Sequence, residues 1–121
     1  MRTFKTKIFE RWAVKIKLSD SILRRAIEEI AIGQYEANLG GSIYKKRIAL
    51  GNKGKRSGAR TIIAFKYGDR AFFLYGFAKS HKSGLALEEV EALKELAKIY
   101  LAYKDEQIIY ALKTERLIEV I

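Results

Sequence analysis

Arg60, Lys79, His81 and Lys46 are the side chains of this 121-residue sequence best suited to chemistry, and the chemistry they suit acts on phosphate. They belong to a concentrated cationic segment. Between Lys45 and Lys82 stand eleven basic residues (Lys45, Lys46, Arg47, Lys53, Lys55, Arg56, Arg60, Lys66, Arg70, Lys79 and Lys82) and one acid, Asp69. The rest of the chain holds thirteen residues of each sign, so the whole net charge of +10 falls in one third of the sequence. Such a concentration costs self-repulsion unless a polyanion uses it. Nucleic acid is the usual polyanion.

The composition excludes several alternatives. With no Cys there is no thiolate nucleophile and no thiolate metal site, and a lone His cannot build a transition-metal site. Hard cations want clustered carboxylates, which the basic segment lacks. GNKGKRSG, residues 51–58, has neither the spacing nor the flanking elements of a phosphate-cradling nucleotide loop. No cofactor and no metal are therefore expected. What remains is metal-free RNA chemistry, in which a 2′-hydroxyl attacks its neighbouring phosphate. Arg60 suits the phosphate, because its planar fork pairs two oxygens and keeps its charge. Lys46 and Lys79, if packed among like charges, suit proton transfer, and His81 is the one side chain with an unperturbed pKa near neutrality. Tyr44, Lys45, Arg47, Lys53, Lys55, Arg56 and Lys82 complete an expected RNA-binding set. Tyr75 lies in an apolar run and reads equally well as core.

Positioning these groups requires a framework, which the periodicity supplies. Apolar residues recur at helical spacing over residues 7–17 and 20–32, with Ser19 as N-cap and Gly33 as stop of the second helix. The pair Gly40-Gly41 breaks the pattern. SIYKKRIA (42–49), TIIAFK (61–66) and AFFLYGF (71–77) read as strands, the last two joined by a turn at Tyr67–Arg70. Residues 85–103 and about 105–113 read as helices, and short extended pieces lie at 3–5 and 117–121. The resulting fold class is α+β, ordered β-α-α-β-β-β-α with an extra C-terminal helix, as a single domain over 1–121. Helices are expected on one face of an antiparallel sheet, leaving the other face to the cations. MRTFKTKIFERW lacks the apolar stretch of a signal peptide and no segment is long enough to span a bilayer, so a soluble, cytoplasmic protein is expected.

Together, LGGSIYKKRIA, GKRSGARTIIAFKYGDRAFFLYGFAKS, the opening FKTKIFERWA and the tail EQIIYALKTERLIEVI resemble the RelE/HigB-like toxins of bacterial type II toxin–antitoxin modules, within the RelE/ParE superfamily. The resemblance covers nearly the whole chain and rests on the combined order of basic strand, glycine loop, Gly-x-Arg-Thr strand and Gly-Phe-Ala-Lys strand end. It implies a small β-sheet toxin that cleaves mRNA without metal, often on the ribosome, and is neutralised by a cognate antitoxin, expected to be a helix-turn-helix protein encoded nearby. Arg60 matches the arginine such toxins use on the scissile phosphate. Lys79 and the following Ser-His-Lys fall where the superfamily places further catalytic groups, although His81 and Lys82 match no specific catalytic position. The competing readings are a ParE-like, non-enzymatic gyrase inhibitor and a plain RNA-binding module.

Overall fold

The computed structural model describes residues 1–50, 58–80 and 82–121. Lys53, Lys55, Arg56 and His81 lie outside the described residues. The chain runs β1 (Arg2–Thr6), α1 (Lys7–Lys15), α2 (Asp20–Ala31), β2 (Ala37–Gly40), β3 (Ile43–Ile48), β4 (Ala59–Phe65), β5 (Arg70–Ala78), α3 (Leu87–Leu101), α4 (Asp105–Lys113) and β6 (Leu117–Glu119). Six strands form one sheet in the order β2-β3-β4-β5-β1-β6. β1 runs parallel to β5, and the other neighbours are antiparallel.

Local chemistry explains the boundaries. Thr6 caps α1 by accepting the Phe9 N–H at 3.2 Å, and Ser19 caps α2 by accepting that of Ile22 at 3.4 Å. Gly33, at φ +86°, ends α2 as expected: its N–H reaches the Ile30 carbonyl and that of Gln34 reaches Glu29, a Schellman closure. The Gly40-Gly41 pair is a turn rather than a break. Gly40, Gly41 and Ser42 all have positive φ, which folds Ala37–Gly40 back on β3 as an edge strand absent from the sequence reading.

Both faces of the sheet are covered, contrary to the one-sided expectation. Phe9, Ala13, Leu23, Ala26, Ile27 and Ile30 of the first two helices pack on Ile48, Ile63, Phe65 and Phe73. Ala97, Ile108 and Ala111 of the last two helices pack, with Phe4, on Ile43, Ile62, Ala64, Phe72 and Leu74 on the opposite face. The sheet is nearly all apolar in β4 and β5, so water on either side would be costly and a helical layer forms on each. A bulge in β5, opposite Ile62 and Ile63, adds one residue and places Leu74 and Tyr75 on the same side. No described helix is long and apolar enough to cross a membrane.

Candidate nucleic-acid interface

Strand register determines which cations can meet. Arg47 pairs with Arg60, and Arg60 pairs with Phe77; the next row is Lys45, Ile62 and Tyr75. Cross-strand partners share a face. Because Ile62 belongs to the layer under α3, Lys45, Arg47, Arg60, Tyr75 and Phe77 all lie on that face, at the end of the sheet beyond the apolar contacts. Gly58 makes this arrangement possible. A Cβ there would stand 2.1 Å from the Ile48 carbonyl oxygen, so only glycine lets β4 join β3 closely enough to bring Arg60 opposite Arg47.

These cations gather round one carboxylate that composition did not single out. Glu36, just before β2, is held by its own N–H donating to the Lys45 carbonyl at 2.8 Å. Its Oε2 accepts from Arg47 Nε at 2.6 Å, while Oε1 lies 3.1 Å from Arg60 Nε and 3.8 Å from Lys45 Nζ. Burial pushes the Glu36 carboxyl up. The Arg47 hydrogen bond and the charges of Lys45, Arg60 and Arg47 outweigh that and hold it below the usual carboxylate range. One anion thus sits among three cations. Arg60 is almost fully buried at 4% exposure, whereas the Arg47 side chain remains 41% exposed. A groove of about 400 Å³ lined by Gln34, Tyr35, Glu36, Lys46 and Arg47 opens alongside.

The remaining predicted residues are dispersed. Lys46, paired with Thr61, points to the opposite face, where Glu29 of α2 holds its ammonium at 2.7 Å. Tyr44 shares that face and packs edge-on against Tyr35 and Phe65. Lys79 is exposed, one residue past Ala78, which pairs with Ala59 next to Arg60. Lys82 is ion-paired with Glu89 and lies 5.9 Å from the centre of the half-buried Tyr75 ring. The premise of lysines packed only among like charges is therefore corrected. Lys45, Lys46, Arg47, Arg60, Arg70 and Lys82 each meet an acid folded in from outside the basic segment. Glu29 and Glu36 escaped the sequence reading because charge counted along the chain cannot see acids that β2 and α2 bring back. The available signal was the sequence Tyr-Glu directly ahead of a glycine-turn hairpin with the basic strand.

The described residues contain no group of three or more His, Cys, Asp or Glu able to hold a metal ion. Fold and site together define a small α+β protein that gathers two guanidinium groups and an ammonium group around one carboxylate at the end of its sheet. The chain belongs to the RelE toxin family: the family model for the RelE toxin of the RelE / RelB toxin–antitoxin system matches residues 1–120. It is the toxin component of such a system, and its partner is an antitoxin. No curated protein matches the sequence.

Proposed function

We propose that this toxin is a metal-independent endoribonuclease that cuts mRNA, on the ribosome, and so stops translation. The observation that supports the reading best is the convergence of Lys45, Arg47 and Arg60 on a single anion position. A phosphodiester placed there gives its non-bridging oxygens to the two guanidinium groups, which stabilise the charge that grows as the neighbouring 2′-oxygen attacks phosphorus. A base takes the 2′-proton, the bond from phosphorus to the 5′-oxygen breaks, and an acid returns a proton to that oxygen. The products are a 2′,3′-cyclic phosphate and a 5′-hydroxyl. Proton transfer is assigned to Lys79, just past β5, and to His81, which follows it in the sequence. Lys46, on the other face, contributes fold and charge. Tyr75, beside the arginine row, offers a half-buried ring for a splayed base.

The test is induced expression in growing cells with capture of new RNA ends. Internal mRNA cuts bearing 5′-hydroxyl groups are expected, and they disappear with Arg60→Ala. Growth arrest with DNA breaks and intact mRNA would instead establish gyrase inhibition. RNA that is retained but uncut would leave a binding module.

A further inference from the structure

The Glu36 carboxylate is an oxyanion seated where the proposed reading puts another oxyanion. We propose that Glu36 is an internal competitor for that seat: in the free protein it holds the place between Arg47 and Arg60 that an RNA phosphate takes by displacing it. The inference rests on the seat being a phosphate site. Three observations carry it further.

The carboxylate is incompletely satisfied. Its Oε2 is engaged by Arg47, but its Oε1 is buried and accepts no hydrogen bond of good geometry among the described residues, despite the Arg60 nitrogen 3.1 Å away. A structural pair elsewhere in the chain is built differently. Glu119 accepts from Arg2 through both oxygens at 2.8 Å. Charge points the same way: among the described residues three cations stand around this one carboxylate, a positive surplus that a phosphodiester relieves only in part. The position also permits exchange. Glu36 stands outside the strands and lines, with Gln34, Tyr35, Lys46 and Arg47, a groove of about 400 Å³ into which a displaced side chain can move. A phosphate entering the seat must therefore work against a resident negative charge.

The experiment measures binding of the full chain to a 2′-O-methyl oligoribonucleotide, which cannot be cut, at fixed salt. Glu36→Gln is expected to bind about tenfold more tightly than the wild type, because a neutral amide no longer repels the phosphate. Equal or weaker binding would overturn the proposal, since a carboxylate that merely orients Arg60 is missed when lost. If Glu36→Gln does not fold, Glu36→Asp decides. It draws the charge back by one methylene and should tighten binding by a smaller factor, and no tightening overturns the proposal. Arg60→Ala separates this inference from the reading beneath it. Binding that weakens in Arg60→Ala but does not tighten in Glu36→Gln keeps the phosphate site and removes the competitor. Binding indifferent to Arg60→Ala, or no binding at all, removes both.

Discussion

Two polar clusters are buried against the same sheet, and their charge arithmetic is opposite. In one, Lys5 of β1 sits between two carboxylates, donating to Glu10 Oε1 at 3.1 Å and Asp20 Oδ1 at 2.9 Å, while the other Asp20 oxygen takes the Ile121 N–H at 2.9 Å. Every partner is directed, and the cluster ties β1 to α1, α2 and the C-terminal end of the chain. In the other, Glu36 is outnumbered by Lys45, Arg47 and Arg60, and one of its oxygens lacks a directed bond. A fold gains little from gathering like charges in a low-dielectric place. The closed cluster is built for stability. On the proposed reading, the open one keeps its excess positive charge for a phosphate.

The sharpest break between them is Arg60→Ala set against Lys5→Met. Losing Arg60 removes one preorganised phosphate contact, and RNA cleavage should fall by about a hundredfold or more. Stability should fall less than in Lys5→Met, because loss of the buried arginine stem and of its contact with Glu36 is partly offset by relief of repulsion from Arg47 and Lys45, which stay beside Glu36. Growth arrest and a thermal melt on the same variant check both halves. A variant that melts far below the wild type would place Arg60 in the structural class instead.

Lys5→Met should do the reverse. It leaves Glu10 and Asp20 facing each other across the vacated lysine position. Removing one member of a fully buried pair costs about 3–5 kcal/mol. Here the acids keep 29% and 30% of their side chains exposed, so about 2–3 kcal/mol is expected. For a chain of this size that corresponds to roughly 10 °C in the melting temperature. Oligoribonucleotide binding, measured well below the melt, should stay within about twofold, and a large loss of binding would erase the distinction between the clusters.

Acidity and alkalinity separate the clusters by a smaller margin. Burial pushes the Asp20 carboxyl up, but the Ile121 N–H and the Lys5 ammonium more than compensate, so it titrates below its ordinary value, as Glu36 does. The unfolded chain then binds more protons in acid. The stability these two groups contribute is complete above the ordinary carboxyl range, around pH 4, and is lost as pH falls through their lower folded values. Lys5 works in the opposite sense. Burial lowers its pKa, yet the hydrogen bonds to Asp20 and Glu10 raise it further than burial lowers it, so its contribution is complete below the ordinary lysine value of about 10.4. It is lost as pH rises through the folded value. Urea midpoints measured across pH should show both limbs in the wild type. Lys5→Met should shrink the alkaline limb, to which Lys82 and Tyr100 also contribute, and weaken the Asp20 share of the acid limb, which the Ile121 N–H still supports. Glu36→Gln should remove only the Glu36 share of the acid limb and leave the alkaline limb in place.

Much of this was determined by the sequence alone. Helical spacing, Ser19 and Gly33 located the first helices, and β-branched and aromatic runs located β4 and β5, because each of these signals depends on residues close together in the chain. Tertiary structure decided the rest. A glycine pair reads as a break until its positive φ angles turn β2 back on β3. Near-continuous apolar strands call for cover on both faces, but only the folded chain shows that α1 and α2 supply one layer and α3 and α4 the other. Above all, register alone puts Lys46 and Arg60 on opposite sides of the sheet, and only the folded chain carries Glu29 and Glu36 to cations they do not neighbour in sequence. Electrostatic partnership depends on distance in space, and pairing across strands sets that distance.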